Sequence, residues 1–411
     1  MNKSIALCEQ KECCACGACV EVCPKSAIIM SEDKYGFVYP QINKSICIGC
    51  GLCEKVCAYR KKKKNNLYRE AYAVSLKDAE LLKKSASGGF FGGIAQQWIL
   101  EGGIVCGAAL IRKEEKLVIQ HIFATTLEEL EFQLGSKYVQ SNLNNTFTET
   151  RKYLEQGKKI LYSGTPCQID GLKSYLGKDY DNLLTIDLVC HGVPSVRMFQ
   201  EYIKVEEKKL GAAIIDYKFR DKESGWGLNA KIIYSIDGEV KSKSMPSYES
   251  SYYELFLKSD LYRKNCYSCP YANGNHPADI TIGDYWGLEE EHIDYLQPKG
   301  KLKVSDGVSA VIINSEKGIK EFEIIKQIFH YYPTNFEKVA KHNEQLRNPS
   351  SVGDNREFIF ELYEQKGYGA VDKWYWQEKR KNRLKESIKY HVHHNVPEPI
   401  RRIAKFIIRG K

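Results

Sequence analysis

The chain has 411 residues, a length that favours two or three domains. Hydrophobic residues make up 43% and charged residues 27%, which is typical of globular proteins and excludes a disordered chain. No uncharged apolar stretch reaches the roughly 18 residues of a membrane span. Residues 1–10 lack the apolar core of a signal peptide, so we expect a cytoplasmic protein.

The net charge of +9 is concentrated at the C-terminus. Residues 371–411 hold 12 Lys and Arg against 4 Asp and Glu, so they carry +8 and the remaining 370 residues only +1. This distribution excludes a general binder of nucleic acid. Residues 398–411 predict a basic amphipathic helix that either docks on its own domain or lies on the inner face of the membrane. Its apolar face would hold Ile400, Ile403, Ala404, Ile407 and Ile408.

Cysteine is the unusual residue type, with 15 copies, of which ten lie in residues 1–57. In a reducing compartment such clusters are typical of metal ligands rather than disulfides. Two runs share the spacing C-x2-C-x2-C-x3-C of bacterial ferredoxins, in which the fourth cysteine of each run binds the other cluster. The runs are Cys13, Cys16, Cys19 and Cys23, then Cys47, Cys50, Cys53 and Cys57.

This repeat predicts two 4Fe-4S clusters, one held by Cys13, Cys16, Cys19 and Cys57 and the other by Cys47, Cys50, Cys53 and Cys23. A pair of zinc sites is the alternative. Cys8 and Cys14 fall outside the repeat, and we expect them to be idle or partly buried thiols. Residues 1–60 are thus predicted to form an α+β ferredoxin-like dicluster module. Residues 61–70 follow as a basic linker, whose alternative role is a landing patch for an acidic electron carrier.

Strand and helix patterns alternate after residue 70, which predicts an α/β domain with a largely parallel sheet. A capping box at Thr126 and Glu129 and a cap at Ser195 are expected to start helices, and Ser87 is the expected N-cap of a third. The predicted strands are 71–76, 104–111, 117–123, 159–162 and 183–189; the predicted helices run to Leu100 and over 145–156, 168–176 and 195–209.

Two cysteines directly follow strands of this predicted sheet. Cys167 and Cys190 should therefore meet at the carboxyl edge, where open α/β sheets bind ligands. With Cys266 and Cys269 they predict a third 4Fe-4S site, the alternative being unligated thiols and a turn. Thr165, at the same edge, is a candidate cofactor-binding residue, whereas Cys106 should be a core residue.

The segment Ser85-Ala86-Ser87-Gly88-Gly89 also has two interpretations. Small residues at a helix start let backbone N–H groups approach a phosphate, and the helix dipole favours its charge. The alternative is a tight turn that only packing requires.

Several motifs together resemble the family of coenzyme F-420 hydrogenase/dehydrogenase beta subunits, with an N-terminal dicluster ferredoxin domain. The motifs are SASGG (85–89), GTPCQ (164–168), DLVCHGVPS (187–195), FRDKESGWG (219–227), CYSCPYA (266–272), ADITIGDYWG (278–287) and DGVSAV (306–311). The resemblance implies an α/β domain over residues 71–318 with FAD beside a 4Fe-4S cluster. The resemblance does not extend to residues 319–411, which we predict to form a helical region with a basic tail.

For individual residues, the resemblance implies flavin at Ser85, Ser87, Gly88 and Gly89. It also implies cluster ligation by the four later cysteines, Cys167, Cys190, Cys266 and Cys269. His191 and Asp284 become candidate catalytic residues that line the flavin.

The resulting prediction is an iron–sulfur flavoprotein oxidoreductase that passes electrons between a ferredoxin-like carrier, FAD and an organic substrate. Genes for bacterial members often lie among genes for surface polysaccharide synthesis. This suggests that the organic substrate belongs to that synthesis. The alternatives are a non-enzymatic electron-transfer subunit and a true coenzyme F-420 reductase or dehydrogenase. A cavity over the flavin would favour the enzyme.

Overall fold

A computed structural model describes residues 7–60 and 68–379 of the chain. Most of the predicted basic linker and the whole predicted amphipathic helix at 398–411 lie outside these residues.

The N-terminal module is a two-stranded antiparallel hairpin flanked by two one-turn helices. Both helices begin after a glycine with a left-handed backbone, Gly17 at φ 76° and Gly51 at φ 75°. Such a backbone disfavours any side chain, so the two cysteine runs share a turn geometry that requires glycine. The elements are α1 Ala18–Glu21, β1 Ile28–Glu32, β2 Val38–Ile42 and α2 Leu52–Lys55.

The rest of the described chain forms one large and one small sheet. The strands are β3 Glu70–Leu76, β4 Ile104–Lys113, β5 Lys116–Ala124, β6 Ile160–Gly164, β7 Leu183–Leu188, β8 Ala213–Lys218, β9 Asn229–Ile236, β10 Glu239–Pro246, β11 Ile280–Asp284, β12 Ser309–Ile313 and β13 Phe329–Thr334. The large sheet has the order β13-β3-β12-β11-β7-β6-β4-β5, and the small one β10-β9-β8.

The prediction of a largely parallel sheet is only partly right, because the large sheet is mixed. The central strands β4, β6, β7 and β11 are parallel, whereas β5, β12, β3 and β13 join through antiparallel pairs. No helix separates β4 from β5; Glu114 and Glu115, both with positive φ, turn the chain directly. Two such residues match the tight turns that join antiparallel strands.

Helices cover both faces of the large sheet, which explains why the central strands β6 and β7 are buried along almost their whole length. Val105, Leu161 and Leu184 face α4 and α11, and Cys106 and Tyr162 pack with α6 and α7. Cys106 is fully buried, so its prediction as a core residue is confirmed. The helices are α3 Ala79–Lys84, α4 Phe90–Leu100, α5 Leu127–Glu131, α6 Thr146–Glu155, α7 Pro166–Leu176, α8 Val196–Leu210, α9 Ser251–Leu257, α10 Leu288–Glu291, α11 Glu316–Ile325, α12 Phe336–His342, α13 Arg356–Lys366 and α14 Tyr368–Lys379.

Two of the three predicted helix starts are confirmed. Thr126 and Glu129 form the full capping box, and the Ser195 hydroxyl caps α8. The prediction for Ser87 is wrong: Gly89, with φ 78°, is the N-cap of α4. The Ser87 hydroxyl instead donates to the Val308 carbonyl at 3.0 Å, and this bond connects the turn to the start of β12.

The domain boundary predicted at residue 318 falls inside α11. Beyond it, β13 pairs with β3 at the edge of the large sheet. Helices α13 and α14 share one core with α8 and α9, in which Tyr368 and Tyr375 pack near Tyr202 and Tyr252. The helical character expected after residue 319 is present, but these helices complete the α/β domain.

Arg263 joins the two domains from a fully buried position. Its guanidinium donates to the Cys13 carbonyl at 2.8 Å and the Val38 carbonyl at 2.6 Å, both in the N-terminal module. It also donates to Gln140 Oε1 at 3.0 Å, and it lies over the ring of Tyr39. A buried cation is stable only when such acceptors replace water, so the module and the α/β domain need each other here.

We expect Arg263→Leu to lower the free energy of unfolding by about 3 kcal/mol or more, because three buried acceptors lose their donor. The measurement is the shift of the urea midpoint by circular dichroism. Arg112→Leu, at an exposed position of β4, is the control and should change stability by less than about 0.5 kcal/mol. Equal effects of the two changes would contradict this role.

Candidate functional site

Cysteines line two separate cavities in the N-terminal module. The first cavity, of about 500 Å³, contains Cys13, Cys16, Cys19 and Cys57. The second cavity, of about 330 Å³, contains Cys23, Cys47, Cys50 and Cys53. Each predicted set, with its fourth member from the other run, lines one cavity, and the lining of the first cavity also includes Cys8, Cys14 and Cys53.

Cys8 and Cys14, which fall outside the repeat, are among the residues that line the first cavity. The Cys8 thiol hydrogen-bonds with Cys13 and Cys57, and its hydrogen bond lowers the pKa of Cys57 to about 6. Cys14 hydrogen-bonds with Cys16 and with Cys167 of the α/β domain. Both thiols are half-buried, which agrees with the expectation of idle or partly buried thiols, and Cys14 also lies at the junction of the domains because it lines the first and third cavities.

A third cavity, of about 630 Å³, lies at the carboxyl edge of the large sheet. Cys167 lines it from the first turn of α7, Cys190 from the loop after β7, and Cys266 and Cys269 from a later turn. Burial raises the pKa of Cys266 to about 12. Burial therefore favours the neutral thiol over the thiolate at this position.

No three His, Cys, Asp or Glu side chains in residues 7–60 and 68–379 converge on a point suitable for a single metal ion. A four-iron cluster has a different requirement, because each thiolate binds a separate iron at its own corner.

A buried histidine that no sequence motif indicated also lines the third cavity. Asp187, fully buried, accepts a hydrogen bond from Nδ1 of His276 at 2.9 Å and from the Thr281 hydroxyl at 2.7 Å. Because a carboxylate only accepts, Nδ1 carries the proton, and in the neutral ring Nε2 keeps its lone pair. This arrangement resembles the carboxylate–histidine pairs that surround metal sites.

A cleft of about 1500 Å³ lies next to the third cavity. It gathers most residues predicted for flavin binding and catalysis: Ser85, Ser87, Gly89, Thr165, His191 and Asp284. Gly88 faces elsewhere. A Cβ at Gly88 would lie 2.1 Å from the Val74 carbonyl oxygen and 2.4 Å from the Ser309 nitrogen, so packing against β3 and β12 requires this glycine.

The turn that contains Ser87 is anchored by Lys222. Its ammonium donates to the carbonyls of Ser87 at 2.5 Å, Asp306 at 2.7 Å and Leu82 at 2.9 Å. One side chain thus fixes three segments at the mouth of the cleft. The sequence carries no signal for this contact, since the three acceptors are backbone atoms.

Three residues that line the cleft carry buried polar atoms without a hydrogen-bond partner among the described residues. These atoms are His121 Nδ1, Gln133 Oε1 and Arg220 Nη2. His121 Nε2 lies 3.0 Å from the Ser163 carbonyl and must donate to it, and burial lowers the pKa of His121 to about 4. His121 Nδ1 is therefore a neutral acceptor. Such atoms are costly unless a polar ligand satisfies them.

The two predicted catalytic residues occupy different settings in the cleft. Asp284 accepts from Arg220 Nη1 at 2.7 Å and from Trp226 Nε1 at 3.2 Å, so it orients an arginine. His191 lines both the cleft and the third cavity, and its side chain is open to the cleft. Desolvation by the cleft walls lowers the pKa of His191.

Neighbouring cavities share residues and so form a continuous series. Cys53 lines the second and first cavities, and Cys14 lines the first and third. Thr165, Cys190 and His191 line the third cavity and the cleft. The order runs from the surface of the N-terminal module to the cleft of the α/β domain.

Comparison with known proteins matches both halves of this series. Residues 157–331 match the C terminus of the beta subunit of coenzyme F420 hydrogenase/dehydrogenase, and residues 12–61 match the 4Fe-4S dicluster domain. The α/β domain is thus similar to the C-terminal part of the beta subunits of coenzyme F420 hydrogenase/dehydrogenase. The N-terminal module is an iron–sulfur domain.

Relatives of this chain include proteins of two organisms whose names describe a dehydrogenase subunit and a reductase. The F subunit of the F(420)H(2) dehydrogenase of Methanosarcina mazei is 24% identical over 76% of this chain and 82% of its own length. Coenzyme F420-dependent sulfite reductase of Methanocaldococcus jannaschii is 24% identical over 88% of this chain, which spans 54% of that protein. A chain of the F420-reducing [NiFe] hydrogenase complex from Methanosarcina barkeri has 18% identity and a TM-score of 0.44, with coverage of 74% of this chain and 95% of that one.

None of the helices in the described ranges is both long and apolar enough to cross a membrane.

Gly171 of α7 allows the close contact between the domains beside Cys14. A Cβ at Gly171 would lie 2.8 Å from Cys16 Cβ and 2.9 Å from Cys16 Sγ. Gly171→Ala should therefore displace the first cysteine loop and lower bound iron by up to one cluster, measured after anaerobic purification. Gly369→Ala, where open space surrounds the new methyl group, is the matched control and should retain all iron. Full iron in both variants would refute the close contact.

Proposed function

We propose that this chain is an iron–sulfur flavoprotein oxidoreductase that passes electrons between a one-electron carrier and an organic substrate. The observation that supports it best is the unbroken series of three cysteine-lined cavities that ends at a large cleft. Electron transfer needs closely spaced centres, and shared residues keep these sites adjacent.

In this proposal the two clusters of the dicluster domain occupy the first and second cavities. The ligands are the crossed sets, Cys13, Cys16, Cys19 and Cys57 in one cavity and Cys23, Cys47, Cys50 and Cys53 in the other. The third cavity holds another 4Fe-4S cluster on Cys167, Cys190, Cys266 and Cys269. Cys14, which contacts both Cys16 and Cys167, lies where electrons cross between the domains.

The donor set of the cleft fits FAD. His121 Nδ1 and Gln133 Oε1 are buried acceptors suited to N–H groups of a flavin or adenine ring, and Arg220 Nη2 is a donor suited to a carbonyl or phosphate oxygen. Bound FAD would supply the exchange between single-electron steps and hydride transfer.

The chain's own residues hold and orient what binds in the cleft. Lys222 fixes the turn at Ser87, so the backbone of Ser85, Ser87 and Gly89 is rigid where a phosphate would approach. Asp284 and Trp226 fix Arg220. His191 and Thr165 separate the cleft from the third cavity, and His191 is open to an incoming substrate.

The lining of the cleft favours an enzyme over a pure electron relay. Three buried polar atoms, His121 Nδ1, Gln133 Oε1 and Arg220 Nη2, belong to residues that line this concave site, whereas a relay needs only an exposed cluster face. The deazaflavin F420 is the second candidate for the substrate, because the names of both relatives contain it. Anaerobic mixing with reduced F420 tests this, since its oxidation restores the deazaflavin absorbance.

Loss of one cysteine pair should remove the third cluster selectively. We expect Cys266→Ser/Cys269→Ser to lower iron from about twelve to about eight atoms per chain, with flavin retained. Cys106→Ala removes a buried thiol of the core and should keep all iron. Unchanged iron content in the double variant would show that no third cluster binds at this position.

Loss of the two buried acceptors should weaken flavin binding selectively. His121→Phe/Gln133→Leu keeps the approximate volume but removes both atoms, so we expect FAD affinity to fall at least tenfold with iron unchanged. The measurement is fluorescence of released FAD against iron content. His330→Phe, on β13, is the control. Equal flavin content in the double variant and in the control would show that the flavin does not bind to these two acceptors.

A further inference from the structure

The surface around the second cavity is apolar, although it faces solvent. Ile29, Ile46, Ile48 and Leu52 are 61%, 46%, 51% and 37% exposed, and Ile48 and Leu52 line the cavity itself. Cys50, one of the four cysteines of this cavity, is also exposed. Ile48 and Leu52 line the same cavity, and Ile29 and Ile46 are next in the chain to Ile28 and Cys47 of its lining, so the four exposures are grouped around this cavity. Grouped apolar exposures mark interaction sites.

Basic residues outnumber acidic ones around this patch. Residues 22–31 and 38–53 contain Lys25 and Lys44 and no acidic residue, and Glu54 and Lys55 come next. All three lysines are exposed, and none forms an ion pair within the described part of the chain. Glu54, the acidic residue nearest in sequence, is half-buried and accepts from Arg60.

Other sides of the module are covered by the α/β domain. Glu21 accepts from the Thr148 backbone at 2.7 Å, and Tyr35 packs on Phe360 with ring centroids 4.9 Å apart. At Gly36, an added Cβ would lie 2.6 Å from Arg197 Cβ. The patch therefore lies on the side that domain packing leaves open, at the outer end of the cavity series.

We propose that this patch, formed by Ile29, Ile46, Ile48, Leu52, Lys25, Lys44 and Lys55, docks a small acidic protein that carries a one-electron centre. The proposal rests on the proposed function, because it makes the second cavity the point where that electron is exchanged. One electron leaves the reduced centre of the partner and reduces the cluster by one electron. No bond or proton changes place.

Charge and polarity favour this partner over other occupants. An acidic surface complements the lysines and steers encounter, while the isoleucines exclude water where the two centres approach. A second copy of this chain would bring the same lysines to the interface, so repulsion disfavours it. An anionic membrane would match the charge, but it offers no electron to the exposed cluster.

The test measures electron transfer into full-length holoprotein. A reduced acidic two-cluster ferredoxin is mixed with the protein in a stopped-flow instrument, and bleaching of the clusters is followed at increasing salt. Lys25→Glu/Lys44→Glu should slow the transfer at least about tenfold at low salt and reverse its salt dependence. Lys204→Glu/Lys243→Glu, the same charge change at exposed sites of α8 and β10, should stay within about twofold.

Reduced methyl viologen, which needs no docking surface, separates a failure of docking from a failure of the redox function. If it bleaches all proteins equally while ferredoxin discriminates between the variants, the docking surface is supported. If it bleaches none of them, the proposed redox function fails. Equal ferredoxin rates in all proteins overturn the docking surface alone. Dimer dissociation by Ile48→Glu, or loss of anionic vesicle binding in the Lys25→Glu/Lys44→Glu protein, would likewise overturn it in favour of self-association or a membrane.

Discussion

The buried guanidinium of Arg263 is the interaction on which the arrangement of the two domains depends. It replaces water with the carbonyls of Cys13 and Val38 and the side chain of Gln140, so neither domain can leave without exposing unsatisfied groups. Gln140 also donates to the Cys14 carbonyl at 3.3 Å. The same contacts that hold the domains together therefore fix the backbone of two adjacent cysteines, and they set the distance between the iron–sulfur module and the cavity of the α/β domain.

This junction holds the cavities in a series whose two ends differ. One end of the cavity series opens at an apolar, positively charged surface, and the other end opens into a cleft with buried polar atoms. The two surfaces suit different partners. An exposed apolar surface with lysines suits a protein partner, whereas a cleft suits a cofactor and a substrate. The separation keeps the one-electron and two-electron chemistry of the proposed function apart.

In the proposed function, the cleft is where stability is given up for binding. Each buried atom without a partner costs about 1–3 kcal/mol, and three of them line one cleft. Nearby, Lys222 and the pair of Arg220 and Asp284 are fully engaged. The walls of the cleft are thus held firmly while selected atoms stay unsatisfied, which is the pattern expected of a preformed ligand site.

Local chemistry could be predicted from the sequence. The repeat of the cysteine spacing predicted both groups in the N-terminal module, because loop length limits which thiols can meet, and the strand ends before Cys167 and Cys190 predicted their proximity. Contacts between distant segments could not be predicted in this way. The mixed order of the large sheet, the position of Cys14 against Cys167, the pair of Asp187 and His276, and the packing of Gly88 against Val74 and Ser309 all join segments far apart in the chain. Short-range patterns encode turns, caps and ligand spacing, whereas such long-range pairings depend on how the whole core packs, which no local pattern records.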